Sequence, residues 1–370
     1  MRAPRPPLGQ HYGCVALAII AAALSGCASG TAGAPSPTAP TPLPTGGVSK
    51  SAMIFSPYKF APVGMHTAAH LLGTTVSGTD VSLANALQGT RAAASLAFAI
   101  GECGAENWGG FDGVMMANAN LGLLQAAGLD YVLSTGGEGA QFTCGTDAGF
   151  TRFINRWASS NLIGVDFDVE AGQTEAMINA LVARVMVAQQ AFPKLRFSFT
   201  LATFAASVPD SEIAVSRGSA APDNFNQYGD RVMRAIAAYG LVNYTINLMA
   251  MDYGSPSSKV CVISGGRCDM GQSAIQSAMN LHDHWGVPYS QIELTVMIGL
   301  NDVTNEQFTL PDVDTVVAWA KATGLVGLHY WSYDRDRDCA QAVASDTCNS
   351  MGAAYAGRLG YFERFSADLN

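Results

Sequence analysis

Three carboxylic acids at alternate positions are the residues of this sequence best suited to acid–base chemistry. Asp166, Asp168 and Glu170 are separated by the apolar residues Phe167 and Val169. Residues two apart in a β-strand point to the same face, so the three carboxyl groups would lie together. Like charges repel in a low dielectric, and at least one of the three should therefore hold a proton. The apolar neighbours favour a functional site on a buried strand over an exposed acidic face.

Alternating strand-like and helical segments surround this run. Eight apolar runs are typical of strands that are buried on both faces. They cover residues 52–56, 94–99, 131–134, 162–167, 196–200, 244–251, 292–298 and 327–331. Segments with helical spacing cover residues 115–127, 150–158, 174–191, 230–239, 271–284 and 311–322. Most strands are followed by a helix, and this order predicts an α/β protein with one catalytic domain, a (β/α)8 TIM barrel.

The predicted barrel gives the acidic run a definite place. Alternate residues of a barrel strand point inward, and active sites of this fold lie at the C-terminal ends of the strands. The three acids would therefore project into the interior, with Glu170 nearest the mouth. A doubly wound open sheet is the alternative, but it would have a glycine-rich phosphate loop after the first strand. Residues 56–59 read S-P-Y-K instead.

The N-terminal segment has the features of an export signal. Arg2 and Arg5 precede an apolar run, residues 14–24, that is too short to span a bilayer. Residues 24–27, L-S-G-C, resemble a bacterial lipobox, in which Cys27 would be lipidated; an ordinary signal peptide is the alternative. We therefore predict a signal peptide at 1–26, a lipidated cysteine with a Pro/Ser/Thr/Ala-rich tether at 27–48, and the barrel domain at 49–370. The protein is expected to be exported, either as a cell-envelope lipoprotein, with the outer membrane favoured, or as a secreted protein.

The remaining cysteines agree with export. Six are left once Cys14 is removed with the signal peptide and Cys27 is assigned to the lipid. An even number in an exported protein predicts disulfides, although six cysteines allow fifteen pairings. Proximity along the chain favours Cys261 with Cys268, Cys339 with Cys348, and Cys103 with Cys144. The sequence has no C-x-x-C pair, and a metal site is not predicted.

The charge of the chain bears on its partners. The formal net charge is -9, and no basic stripe of the kind that binds phosphate backbones is evident. Nucleic acid is therefore not an expected partner, and an uncharged substrate fits better. Contact with a membrane is expected only through the N-terminal lipid, and the protein is expected to be a monomer.

An ordered set of motifs resembles glycoside hydrolase family 18, the chitinase family. Residues 164–170, G-V-D-F-D-V-E, resemble its fourth-strand signature D-G-x-D-x-D-x-E, with Ile163 in place of the first aspartate. Residues 134–137, S-T-G-G, match its third-strand S-x-G-G. Residues 249–252, M-A-M-D, resemble its sixth-strand M-x-Y-D, with methionine in place of tyrosine. The resemblance covers nearly all of the predicted barrel domain.

The resemblance implies substrate-assisted hydrolysis with retention of configuration. Glu170 would protonate the glycosidic oxygen and later act as the base for water. The 2-acetamido carbonyl of the bound sugar would attack its own anomeric carbon, while Asp168 would orient that group and stabilise the charged intermediate. Asp166 would lie beneath Asp168 and share a proton with it. Neither a metal nor a cofactor is implied.

Further residues are expected to contact the substrate: Asp252, Met249, Tyr253, Trp331 and Trp108. Asp252 and Met249 belong to the sixth-strand motif, and Asp252 would reach the acetamido nitrogen or Asp168. Tyr253 is a candidate for the hydroxyl that Met251 lacks. Trp331, at the eighth strand, would stack on a sugar ring. Trp108 follows the second strand and is a candidate for a more distant sugar platform, with interior packing as its alternative.

The function that the resemblance implies is that of a chitinase, which hydrolyses β-1,4-linked polymers of N-acetylglucosamine. Chitin or a chitooligosaccharide is then the expected partner. One alternative is an endo-β-N-acetylglucosaminidase that cleaves N-glycans. Another is a chitin-binding protein without catalysis, although such relatives usually lack the acid that Glu170 would supply.

Overall fold

The computed structural model describes residues 53–207 and 225–369. The predicted signal peptide, Cys27 and the tether lie outside these residues. Within them, no helix is both long enough and apolar enough to cross a membrane.

Eight parallel strands form a closed barrel. They are β1 in two pieces (Ile54–Phe55 and Tyr58–Phe60), β2 (Ala94–Ala99), β3 (Tyr131–Gly136), β4 (Leu162–Val169), β5 (Arg196–Ala202), β6 (Thr245–Ala250), β7 (Ile292–Met297) and β8 (Gly327–Trp331). Each of β2 to β7 pairs with the next strand along the chain. The two pieces of β1 close the sheet, because the first pairs with β8 and the second with β2. The predicted TIM barrel is therefore confirmed.

Helices follow the strands around the outside of the barrel. They are α1 (Leu83–Leu87), α2 (Gly113–Ala127), α3 (Asp147–Arg156), α4 (Glu175–Ala191), α5 (Gln227–Tyr239), α6 (Met270–Trp285), α7 (Leu310–Thr323) and α8 (Gly360–Leu369). Side chains that accept hydrogen bonds from the first turn begin six of them: Ser82, Asp112, Thr146, Thr174, Asn226 and Asp269. The six predicted helices are present, and α1 and α8 are additional.

Short strand pairs and disulfides shape the loops at the C-terminal ends of the strands. The pairs are Gly73–Thr74 with Val81–Ser82, Gly101–Glu102 with Phe142–Thr143, Asn107–Trp108 with Phe111–Asp112, Ile263–Ser264 with Arg267–Cys268, and Gly299–Leu300 with Gln307–Phe308. Disulfides join Cys103 to Cys144, Cys261 to Cys268, and Cys339 to Cys348. These are the pairs that proximity favoured, and such bonds are typical of proteins that fold in an oxidising compartment.

Candidate active site

A column of carboxyl groups rises along β4 to the mouth of the barrel. Asp166 and Asp168 point inward and are 2% and 4% exposed, because they alternate with outward-facing apolar residues. Glu170 lies just beyond the last residue of β4, Val169, and is partly exposed. The strand thus buries two acids and presents the third to solvent.

Hydroxyl groups surround Asp166, the lowest of the three acids. Its Oδ2 accepts hydrogen bonds from Tyr58 at 2.9 Å and Ser134 at 2.7 Å. Its Oδ1 accepts from Ser198 and Thr200, both at 2.7 Å. Burial raises the pKa of Asp166, and the hydrogen bonds from the serine and threonine hydroxyls oppose that rise. Four donors on one carboxyl group favour its anionic form.

Asp168 lies in a less satisfied environment. Burial, and then the charges of Glu170 and Asp166, raise its pKa well above the ordinary value. Its Oδ1 is buried and accepts no hydrogen bond from any described residue. Asp168 therefore holds a proton more tightly than Asp166, and it has an oxygen left over for a partner.

Glu170 has the protonation behaviour of a general acid. Burial, and then the charge of Glu138, raise its pKa to about 7. The nearby charge of Asp252 adds to this rise. A carboxyl group with such a pKa keeps its proton at mildly acidic pH and can also lose it, as a residue that acts first as acid and then as base must do.

Two glycines allow β3 to approach the acidic column. Gly136 has φ +91°, and a Cβ there would lie 2.1 Å from the backbone oxygen of Asp168. Gly137 has φ +88°, and a Cβ there would lie 2.6 Å from the ring of Phe98. Any other residue at either position would displace the backbone of β4 or the ring of Phe98. The two glycines of the S-T-G-G run therefore allow this segment to pack closely against Asp168 and Phe98.

An open cleft of about 750 Å³ lies above the column. Five of the predicted site residues line it: Asp168, Glu170, Met249, Asp252 and Trp331. The indole of Trp331 stacks on Phe98, with ring centres 5.6 Å apart and an interplanar angle of 15°. Phe60 lies at the same centre-to-centre distance from Trp331 and completes an apolar wall. The cleft thus combines one apolar wall with an acidic floor.

Asp252 is held at the cleft by the loop that follows β7. Its φ is +52°, and its Oδ1 accepts a hydrogen bond from the backbone nitrogen of Val303 at 2.9 Å. The carboxylate of Glu306 accepts from the backbone nitrogens of Tyr253 and Gly254 at 3.1 and 3.0 Å. These bonds fix the turn after β6, so the position of Asp252 depends on two loops.

Comparison with known proteins shows what this fold resembles. No protein-family model matches the chain, and no curated protein matches its sequence. The catalytic domain of a hyperthermophilic chitinase from Pyrococcus furiosus is similar in structure, with a TM-score of 0.62 and 22% identity over 86% of this chain and 95% of that domain. Catalytic-site mutants of a thermostable chitinase domain from the same organism, complexed with chito-oligosaccharides, give a TM-score of 0.61 and 20% identity over the same shares. The chain shares their fold.

Two of the predicted substrate contacts do not reach the cleft. Trp108 is fully buried and packs against Trp157, with ring centres 5.1 Å apart, so its ring offers no surface to a sugar. Tyr253 is 3% exposed and does not line the cleft, because the turn fixed by Glu306 directs its side chain into the interior. The interior-packing alternative is correct for Trp108, and Tyr253 does not take the place of a tyrosine at Met251.

The structure also brings residues to the site that the sequence reading did not identify. Tyr58 and Thr200 contact Asp166, and Glu138 lines the cleft near Glu170. Arg335 lines the cleft while donating to the backbone oxygens of Ser345, Leu300 and Ile298 at 2.8, 2.6 and 3.1 Å. Thr200 could have been found from the inward alternation of β5. Glu138 directly follows the S-T-G-G run, so its position next to that motif could have identified it as a residue of the site.

Among residues 53–207 and 225–369, no group of three or more His, Cys, Asp or Glu side chains is arranged to hold a metal ion.

Proposed function

We propose that this protein is a chitinase, which hydrolyses β-1,4-linked polymers of N-acetylglucosamine with retention of configuration. The observation that carries the proposal is the column of Asp166, Asp168 and Glu170 beneath an open cleft, with the pKa of Glu170 raised to about 7. The fold shared with chitinase catalytic domains supports it. In the proposed reaction no second carboxylate attacks the sugar, because the substrate supplies the nucleophile.

The proposed first step breaks the glycosidic bond. Glu170 gives its proton to the glycosidic oxygen, and the leaving sugar departs with the bonding electrons as an alcohol. The carbonyl oxygen of the 2-acetamido group forms a bond to the anomeric carbon, which gives a cyclic oxazolinium ion. Asp168 accepts a hydrogen bond from the acetamido nitrogen through Oδ1, the oxygen without a described partner. The negative charge shared by Asp168 and Asp166 stabilises the cation.

The second step restores the enzyme. The Glu170 carboxylate takes a proton from water, and the water oxygen attacks the anomeric carbon from the face that the leaving group vacated. The bond from the anomeric carbon to the acetamido oxygen breaks, and its electron pair returns to that oxygen to restore the neutral acetamido group. Two displacements on one carbon give net retention. Trp331 and the aromatic residues beside it form the surface on which the apolar face of the sugar stacks.

The test is hydrolysis of chitin hexamer by the wild-type protein and by Glu170→Gln. Loss of the acid should lower turnover by about 10²- to 10⁴-fold and leave binding of the hexamer intact. Glu175→Gln makes the same chemical change at an exposed helix residue outside the cleft and should keep full activity. Equal turnover by wild type and Glu170→Gln would refute the proposal. Release of glycans from a high-mannose glycoprotein without cleavage of the hexamer would support N-glycan cleavage instead.

A further inference from the structure

A second group of buried charges lies at the N-terminal end of the barrel interior, below the catalytic column. Arg196 on β5 donates to Glu293 on β7 through Nε at 2.7 Å and Nη2 at 2.6 Å. His329 on β8 lies 2.7 Å from the other carboxylate oxygen of Glu293. Glu293 and His329 are 2% and 4% exposed. The proposed reaction uses none of these three side chains, which we call the basal cluster.

The contacts define the charge of the basal cluster. Burial raises the pKa of Glu293, but Arg196 and His329 outweigh burial and lower it to about 2, so Glu293 is an anion. The Nε2 of His329 faces this carboxylate, and its Nδ1 lies 3.1 Å from the carbonyl oxygen of Ser56. A carboxylate and a carbonyl only accept hydrogen bonds, so each ring nitrogen of His329 faces an acceptor. Arg196 and His329 thus both face the one carboxylate of Glu293, and Arg196 places a full positive charge beside it.

The basal cluster is adjacent to Asp166. A cavity of about 10 Å³, the size of one water molecule, is lined by all three basal residues and by Asp166. Ser198, which donates to Asp166, is two residues beyond Arg196 on β5, a rise of about 6.6 Å. The positive charge of Arg196 therefore lies one layer of side chains below the carboxylate.

Charged or titratable groups face Asp166 from several of the strands packed around it. They are Tyr58 on β1, Asp168 and Glu170 at β4, Arg196 on β5, Glu293 on β7 and His329 on β8. The cavity receives uncharged polar side chains from β2 and β6: Ser95 and Asn247. Ser134 on β3 is likewise uncharged. The charge of Glu293 raises the pKa of Asp166. Among the described residues, the cation that faces both carboxyl groups, Arg196, belongs to the basal cluster.

We propose that Arg196 and His329 are positioning residues that offset the negative charge of Glu293 and keep Asp166 ionised, so that the proton shared by Asp166 and Asp168 stays on Asp168. A cation below the pair favours the arrangement with the negative charge on the lower carboxyl group. The hydroxyl donors around Asp166 act in the same direction. The consequence for catalysis rests on the proposed function, since the pair must retain one negative charge to stabilise the oxazolinium ion.

The first experiment compares Arg196→Met with Arg196→Lys by the pH profile of chitin hexamer hydrolysis. Methionine removes the charge at similar length, whereas lysine keeps it. In Arg196→Met, the acidic limb should move upward by roughly one pH unit, as expected for loss of a unit charge about 10 Å away at an effective dielectric constant near 20. The alkaline limb, set by Glu170, should move less, and Arg196→Lys should resemble the wild type. A fall in kcat that is uniform across pH, or equal limb shifts in both variants, would show a merely structural role and overturn the proposal.

The second experiment reads protonation without turnover. Infrared difference titration of protein with isotopically labelled aspartate follows the protonated carboxyl band as the pH is lowered. That band should appear at a pH roughly one unit higher in Arg196→Met than in Arg196→Lys. An infrared shift in a protein that does not cleave the hexamer would sink the chitinase assignment and leave the role of the basal cluster standing. Hexamer cleavage without an infrared shift would leave the chitinase assignment standing and overturn the role of the basal cluster. Thermal unfolding of both variants checks that each is folded.

Discussion

Along β4, the residues that face the helices are Val165, Phe167 and Val169, whereas those that face the barrel interior are Asp166 and Asp168. The same division runs around the sheet. The outer layer is apolar and includes the tilted rings of Phe150 on α3, Phe167 on β4 and Phe199 on β5. The inner layer contains buried polar side chains: Ser95, Ser134, Ser198, Thr200, Asn247, Glu293, Thr295 and His329. Many barrels of this fold are instead filled by branched aliphatic residues.

The difference separates the side chains that stabilise this protein from those to which we assign the proposed reaction. Burial of apolar side chains on the outer face contributes to stability in proportion to the area removed from water. On the inner face, each buried polar group must be hydrogen-bonded merely to offset its desolvation. Asp166 is satisfied in this way, and Asp168 is not. We therefore expect substitutions on the two faces to have opposite effects on stability and activity.

The largest expected effect is on the outer face. Phe167 is 1% exposed, and its ring centre lies 5.3 Å from Phe199 and 5.9 Å from Phe150. Phe167→Ala should lower the free energy of unfolding by about 3–5 kcal/mol, because it leaves a cavity between sheet and helix. Chemical denaturation measures this loss. Asp168→Asn, on the adjacent inward position, should leave stability unchanged or raised, because asparagine resembles the protonated acid. Equal losses in the two variants would contradict the division between faces.

The next effect is the dependence of stability on pH. Glu170 has a pKa of about 7 in the folded protein, against an ordinary value of 4.5. Below about pH 4.5 both folded and unfolded states are protonated, and the residue has no effect. As the pH rises from 4.5 to 7, the unfolded chain ionises first, so stability falls; above pH 7 the full loss, about 3 kcal/mol at most, is reached.

Glu170→Gln removes this group, so the variant should gain stability relative to the wild type across the same pH window. Urea unfolding at pH 4, 6 and 8 measures the difference, with Glu175→Gln as the control at an exposed site. If the difference in stability between wild type and Glu170→Gln does not grow with pH, the pKa of Glu170 is not raised in the folded protein.

Features of this division that depend on residues close together in the sequence could be predicted, whereas features that depend on contacts between distant residues could not. The eight strands and six of the helices follow from local apolar runs and helical spacing, and the inward direction of Asp166 and Asp168 follows from their spacing. Helix α1 has five residues, too few for a recognisable period. The break in β1 at Pro57, which lacks a backbone donor, also shortens that strand signal.

Contacts made through barrel closure could not be predicted in this way. Tyr58 and Asp166 are 108 residues apart and meet across the barrel interior. The burial of Trp108 depends on its contact with Trp157 after the next strand, so its position on a loop suggested an exposure that it does not have. Local pattern thus predicts which face a strand residue takes, and tertiary contacts decide what it meets there.

Trp331 sharpens the comparison, because it is an apolar residue of the inner layer at the end of β8. Its expected effect is the smallest, and it concerns binding. In the non-hydrolysing Glu170→Gln background, Trp331→Ala should raise the Kd for chitin hexamer by about tenfold, and Trp331→Phe by less, because a ring remains to stack on the sugar. Titration calorimetry measures both. Trp108→Phe is the control, because Trp108 is buried away from the cleft, and it should leave Kd unchanged. If Trp331→Ala binds as tightly as its background, the apolar wall supports the loops and does not hold the sugar.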